Sequence, residues 1–194
     1  MFIAIPVMLG ALIAGAAALP GPRATAADSC WFSGDRAKLA KRLSPLDSAV
    51  ATLGDAEIKV CYGRPSARGR TMLGGLLPWK QEWRFGANEA TTIHLPVAVK
   101  FGTVPLGKGV YSLYASPDST SLRIVVNDKA ERWGIPIDRP LITHDVGSVT
   151  VPTEPTDSLV ETLTMRLDPA PDGTVTFVFE WEHTRARVKI ERTK

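Results

Sequence analysis

The segment from residue 174 to residue 190 most constrains the fold, because its apolar side chains recur at every second position. The first part of this apolar set is Val175, Phe177, Phe179 and Trp181. A period of two is typical of a β-strand with one buried face. Beyond Thr184 the apolar side chains occupy the other parity, at Ala186, Val188 and Ile190. This change of phase predicts a tight turn or a β-bulge near His183 and Thr184, because one extra residue exchanges the two faces.

Shorter segments of similar character precede it, with turn residues between them. They are 49–53 and 57–62 around a Gly54-Asp55 turn, then 91–95, 97–101, 110–115, 122–127 and 159–167, with a weaker candidate at Val149 and Val151. Many short strands with almost no helical pattern predict an all-β fold. We expect an antiparallel β-sandwich or a jelly-roll-like barrel of about eight or nine strands.

The start of the chain differs from this β-rich part. Residues 33–43 predict a short N-terminal helix, with Ser33 as the N-cap and basic residues toward its end. Pro45 would end that helix. The sequence therefore divides into a leader at 1–27, an N-terminal helical extension at 28–44, and a single β-sandwich domain at 45–194.

The leader is typical of a secretory signal peptide. Residues 2–20 are uncharged and mostly apolar, and ATAA follows at 24–27, so we expect cleavage after Ala26 or Ala27. The alternatives are an uncleaved membrane anchor and lipidation at Cys30. The expected location is periplasmic or secreted, with no stable membrane insertion after signal cleavage.

Charge and cysteine content fit that location. The chain carries 23 Lys and Arg against 20 Asp and Glu, and loss of Arg23 with the leader reduces the net charge from +3 to +2. No basic run is present, which excludes nucleic acid as a partner. The two cysteines predict a Cys30–Cys61 disulfide, which would stabilise the fold by ~3–4 kcal/mol. The alternative is two free, buried thiols.

The connection from Cys61 to Thr92 is long for a compact domain and rich in Gly, Arg and Trp. Ordered connections of this length are commonly functional, so we expect a site here. The guanidinium groups of Arg64, Arg68 and Arg70 can each donate two hydrogen bonds to a carboxylate, sulfate or phosphate of a ligand. Alternatively, they pair with carboxylates of the protein itself. The segment contains no motif that identifies a reaction, and no cofactor is predicted for the chain.

Trp83, Arg84, Asn88 and Glu89 follow in the same connection. Asn88 and Glu89 can orient a sugar hydroxyl or a water. Alternatively, Glu89 fixes the loop by pairing with Arg84 across the turn at Gly86, and we favour this Arg84–Glu89 contact.

Other candidate chemistry is weaker. Glu180 and Glu182 lie one strand period apart, so their carboxylates would be ~6–7 Å apart on one face, a spacing compatible with glycoside hydrolysis. Alternatively, they are two exposed glutamates without a catalytic role, which are common on the outer face of a strand.

The chain has three histidines, His94, His144 and His183. They do not have the spacing of metal ligands, so no metal site is predicted. Neither a serine-nucleophile motif nor a nucleotide-binding motif occurs in the sequence.

Several strings carry a resemblance to a known family. They are YGRPSARGR at 62–70, GGLLPW at 74–79, EWRFGANEATT at 82–92, GKGVYSLYASP at 107–117, WG at 133–134 and FEWEHTRARVKI at 179–190. Over roughly residues 45–192 the chain resembles a bacterial exported family catalogued as domain of unknown function 2911. The resemblance implies a secreted or periplasmic all-β domain, and it implies no reaction, ligand or catalytic residue.

Three functional hypotheses follow. The first is a non-catalytic binding module for a small anionic or carbohydrate ligand, whose site comprises Arg64, Arg70, Trp83, Arg84, Asn88 and Glu89. The second is an extracytoplasmic hydrolase that uses Glu89 or the Glu180/Glu182 pair as acid and base. The third is a structural envelope protein, which is favoured if the polar motif residues pair with one another in the interior.

Overall fold

The computed structural model describes Met1 and residues 30–193, so the predicted signal peptide lies outside the described residues. Nine antiparallel strands form one sheet, in the spatial order β1-β2-β3-β6-β7-β8-β9-β4-β5. The strands are β1 (Leu46–Leu53), β2 (Ala56–Gly63), β3 (Thr91–Leu95), β4 (Val99–Phe101), β5 (Val104–Leu106), β6 (Gly109–Pro117), β7 (Ser121–Asn127), β8 (Asp145–Pro169) and β9 (Val175–Arg192).

The long strand β8 belongs to both halves of this sheet. Its residues 145–152 pair with β7, and its residues 153–169 pair with β9. Buried side chains from both halves form one hydrophobic core, so the two halves pack as the layers of a sandwich. The predicted β-sandwich is therefore confirmed, and the sheet is not closed into a barrel.

The change of apolar phase in β9 is a β-bulge and not a turn, because the strand continues through it. Thr184 pairs with Pro155, whereas Glu182 pairs with Val160, so the register shifts between the two positions. Glu182 has a left-handed backbone with φ of 54°. This local change exchanges the two faces of the strand, as the sequence pattern requires.

Two elements do not follow from the sequence pattern: strand β5 and the short helix α1 (Arg139–Ile142). The candidates near Val149 and at 159–167 also prove to be parts of one strand, β8. The stretch of β8 between them is mostly exposed or partly exposed, so it carries no apolar alternation that could have joined the two candidates.

The N-terminal extension contains a six-residue 3-10 helix, Arg36–Lys41, within the segment predicted to be helical. Its N-cap is Asp35 and not Ser33, because the Asp35 side chain accepts from the backbone N–H of Ala37. The predicted Cys30–Cys61 disulfide is confirmed, with a Cα–Cα distance of 5.8 Å. No helix in the described part of the chain is long and apolar enough to span a bilayer.

Candidate functional site

Residues 64–90, which we call the motif loop, connect β2 to β3 and contribute several buried side chains to the core. The backbone of Trp83 pairs with that of Ala115 in β6, with N···O distances of 2.7 and 2.8 Å. The Trp83 ring stacks on Trp181, and the ring centroids of Phe85 and Phe179 lie 5.0 Å apart. These aromatic contacts fix the middle of the motif loop on the core.

Arg64 and Arg70 fasten the beginning of the motif loop. The Arg64 Nε donates to the backbone carbonyl of Leu163 at 3.1 Å, and its Nη1 lies 3.1 Å from the Asp47 carboxylate. The Arg70 Nε donates to the carbonyl of Ala67 at 2.8 Å. Both guanidinium groups therefore have internal partners, as expected for residues that hold a connection in place.

Glu89 and Asn88 hold the N-terminal extension against the domain. Glu89 is 2% exposed, and its carboxylate accepts from the backbone N–H of Ser33 at 3.0 Å and from Arg42 Nη1 at 2.7 Å. The Asn88 side chain donates to the carbonyl of Ser44 at 3.0 Å. No pattern in the sequence indicated these contacts, since the basic residues up to Arg42 are also typical of an ordinary helix end.

The predicted Arg84–Glu89 pair is wrong, because Arg42 and Ser33 occupy the two oxygens of Glu89. Arg84 has no hydrogen bond or ion pair with any residue in the described part of the chain. It is half-buried, and burial lowers the pKa of its guanidinium from the usual value. The arginine remains charged at neutral pH, so a half-buried cation without a partner is left at this position.

Gly134 fixes the aliphatic stem of Arg84. A Cβ at position 134 would lie 2.7 Å from Arg84 Cδ, so only glycine allows this approach. The backbone N–H of Gly134 donates to the carbonyl of Asn88 at 2.8 Å, which ties the segment after β7 to the motif loop. The Trp133–Gly134 pair in the sequence was the available signal for this contact, although it did not indicate the partner.

Arg84 lies in a groove of about 340 Å³, which we call the Arg84 groove. The apolar residues that line it are Leu76, Leu77, Pro78, Trp83, Ile135 and Ile137. The other polar residues are Gln81 and Glu82, and the Glu82 carboxylate lies 3.7 Å from Arg123. Pockets of this size, with apolar walls and few polar groups, are typical of small-molecule sites.

Three non-glycine residues around the groove have left-handed backbone conformations. Lys80 has φ of 65°, Phe85 has φ of 53° and Asn88 has φ of 64°. Such conformations cost ~1–3 kcal/mol each and persist where the surroundings enforce them, commonly at ligand sites. In the chain they lie on both sides of Trp83 and Arg84.

A second cavity of about 560 Å³ lies on the other side of Ile135, within the segment from residue 128 to residue 144. Its Arg132 side chain donates to two backbone carbonyls of its own segment. Its Asp128 lies 2.9 Å from His144, and its Asp138 caps helix α1. Arg132 Nη2 is buried without a hydrogen-bond partner, but the other two nitrogens of this guanidinium are paired. The smaller Arg84 groove is the better candidate for a ligand, because none of the Arg84 nitrogens has a partner among the described residues.

The glutamates of β9 occupy separate environments, contrary to the expectation of one shared face. Glu180 is buried between Arg166 and Arg185. Burial by itself raises the pKa of its carboxyl, but the hydrogen bonds from Arg185 and Arg166 outweigh burial, and the pKa is lowered. Glu182 accepts from two backbone N–H groups at 72–73, both at 2.9 Å. A lowered pKa is unsuited to a general acid.

The three histidines lie apart. His94 contacts Thr92 at 3.1 Å, and burial, with the charge of Lys59, lowers its pKa to about 4. His144 pairs with Asp128, and His183 is exposed. Within residues 30–193, no three His, Cys, Asp or Glu side chains are grouped so as to hold a metal ion.

Comparison with known proteins places this architecture in a family. The family model described as protein of unknown function (DUF2911) matches residues 44–190, which include the motif loop and nearly all of the sheet. Neither the curated proteins nor the solved structures contain a match to the chain. Because the matched segment covers more than half of the sequence, the chain belongs to this family of proteins of unknown function, DUF2911.

Proposed function

We propose that the protein is a non-catalytic module that binds a small anionic ligand in the Arg84 groove. The observation that carries this proposal is the half-buried Arg84 guanidinium, which has no partner in the described part of the chain and lies among apolar walls. Of the two predicted ligand classes, anionic and carbohydrate, an unpaired cation favours the anionic one.

The energetics support this assignment. A cation withdrawn from water is costly unless an opposite charge or hydrogen-bond acceptors compensate it. The other arginines of the predicted site, Arg64 and Arg70, already have internal acceptors, whereas Arg84 has none among residues 30–193. An anion that accepts two hydrogen bonds from the Arg84 fork would compensate the charge and be oriented by it.

A hydrolase gains no support from the predicted carboxylates. Glu89 and Glu182 each accept hydrogen bonds at both oxygens, and Glu180 lies between two arginines. An acid or base must have a lone pair or proton available to the substrate. We therefore propose binding without catalysis.

Binding can be tested by NMR titration of isotopically labelled protein with butyrate and methyl phosphate, with glucose as a neutral probe. We expect the anions, and not glucose, to shift the Nε–H signal of Arg84 and the indole signal of Trp83. Arg84→Met should remove the response. Arg139→Met removes the same charge outside the groove and should retain it. Equal binding by the wild type and Arg84→Met would contradict the proposal.

We also propose that the protein is exported to the periplasm or the exterior. The uncharged apolar residues 2–20 support export, and so does the Cys30–Cys61 disulfide, since disulfides persist in oxidising compartments. Mass spectrometry of the protein from its native host should find a chain that begins immediately after Ala26 or Ala27. An intact Met1, or a lipid on Cys30, would contradict this expectation.

A further inference from the structure

We infer that the ligand of the Arg84 groove is a straight-chain aliphatic monocarboxylate, whose carboxylate binds Arg84 and whose chain lies along the apolar walls. This inference rests on the proposed function and specifies the chemical class of the ligand. Three features of the groove support it: the number of its charges, the shape of its cation and the composition of its walls.

The charges of the groove favour a single negative charge on the ligand. Arg84 is the one cation among the lining residues, and the lining residue Glu82 carries the opposite charge. Arg123 lies 3.7 Å from Glu82 and so balances it only partly. A dianion such as a phosphate monoester would leave one charge unmatched and would be repelled by Glu82, whereas a monoanion matches Arg84.

The guanidinium favours a carboxylate as the head group. Its planar fork of N–H donors matches the two oxygens of a carboxylate, which gives two parallel hydrogen bonds. Gly134 lies against the Arg84 stem on one side. This contact limits the positions that the stem can take before binding, which reduces the ordering cost of association.

The walls favour an aliphatic chain on that head group. Six of the nine lining residues are apolar, and two of them are largely exposed: Leu76 is 57% exposed and Ile135 is 52% exposed. Ile135 also borders the neighbouring cavity of about 560 Å³. A chain that leaves the Arg84 groove over Ile135 therefore reaches a second cavity, whose apolar lining residues include Trp133, Pro136 and Leu141.

The inference predicts a dependence of affinity on chain length. Burial of one methylene is worth ~0.8 kcal/mol, so each methylene that the groove buries should tighten binding about fourfold. We would measure the dissociation constants of hexanoate, octanoate and decanoate by isothermal titration calorimetry, below their critical micelle concentrations. Octyl phosphate and octanol serve as the dianionic and neutral probes of equal chain length. Octanoate should bind more tightly than either.

Two pairs of variants separate the head group from the chain. Arg84→Met should weaken octanoate binding to the level of octanol, whereas Arg139→Met should not. Leu76→Asn should weaken decanoate binding severalfold, whereas Leu159→Asn, at a residue equally exposed on β8, should leave it unchanged. Leu76 and Leu159 are both exposed, so neither substitution is expected to disturb the fold.

The outcomes distinguish this inference from the proposed function. If hexanoate and decanoate bind equally through Arg84, or if octyl phosphate binds more tightly than octanoate, the inference is overturned and the anion-binding function remains. If neither the carboxylates nor the phosphate shows binding that depends on Arg84, both are overturned. Tightening with chain length that is lost in Leu76→Asn and retained in Leu159→Asn supports the inference.

Discussion

Replacement of Glu89 with glutamine is expected to lower the free energy of unfolding by about 3–5 kcal/mol. The Glu89 side chain is buried, and its two oxygens accept from the backbone N–H of Ser33 and from Arg42. In glutamine an NH₂ donor takes the place of one carboxylate oxygen. That NH₂ group would then face either the Ser33 N–H or the Arg42 guanidinium, which are donors themselves. The substitution also removes the charge that compensates the largely buried Arg42 guanidinium.

Chemical denaturation of a double-mutant cycle would check this prediction. Glu89→Gln and Arg42→Met should show a coupling energy well above 1 kcal/mol, as expected for a buried pair. Glu89→Gln and Arg84→Met should be additive, because the hydrogen-bond and ion-pair partners of Glu89 are Ser33 and Arg42 and not Arg84. Glu82→Gln breaks a more exposed pair and should cost about 1 kcal/mol or less. Wild-type stability of Glu89→Gln, or additivity with Arg42→Met, would show that this pair does not hold the extension.

Replacement of Gly63 with alanine is expected to lower the free energy of unfolding by about 3 kcal/mol. Gly63 ends β2, and a Cβ at this position would lie 1.8 Å from the carbonyl oxygen of Ala87. The new Cβ would overlap backbone atoms of Ala87, which cannot move away as the end of a flexible side chain could. The strand and the motif loop would have to separate, which would also break the hydrogen bond from the Ala87 N–H to the Gly63 carbonyl.

Gly107→Ala is the matched control for this steric effect. The nearest atom to a Cβ at position 107 is the Tyr111 hydroxyl oxygen at 3.7 Å, an ordinary contact, and the residue is exposed. Its stability should therefore change by about 0.5 kcal/mol or less. Thermal melting of both variants gives the comparison. If Gly63→Ala melts at the wild-type temperature, the close approach of β2 and the motif loop is not maintained in solution.

Glu89→Gln and Gly63→Ala both disturb contacts between the motif loop and the rest of the protein. If they destabilise the protein as expected, the motif loop is part of the fold and not only a site. Arg64, Arg70, Asn88 and Glu89 were predicted as ligand-binding candidates, and each has internal partners. Buried charge-assisted contacts of this kind specify where a connection lies. Arg84 differs from them because it lies in a groove and has no partner in the part of the chain that the structure describes. This difference is why the functional proposal rests on it.

Local sequence patterns were sufficient to predict the strands whose apolar residues alternate, because that pattern repeats within a few residues. The alternation in β9 predicted the strand, and its change of phase predicted a tight turn or a bulge near His183 and Thr184, because one extra residue exchanges the faces. The structure has a bulge there, at Glu182. The Gly54-Asp55 turn likewise predicted the β1–β2 hairpin. The two cysteines predicted the disulfide that ties the extension to β2. These inferences needed only residues near one another in sequence, or a unique pair.

The tertiary structure alone decided which residues meet in the site. Glu89 could be expected to form an ion pair, but its partner Arg42 lies 47 residues away, and no spacing in the sequence distinguishes it from the nearer Arg84. Gly134 and Ile135 reach Arg84 only because the segment after β7 packs on the motif loop. The sequence determined which segments are strands and which connection is unusual. The packing of distant segments determined that Arg84 lies in an apolar groove with no partner among the described residues, because charge pairing depends on distances that only the folded chain sets.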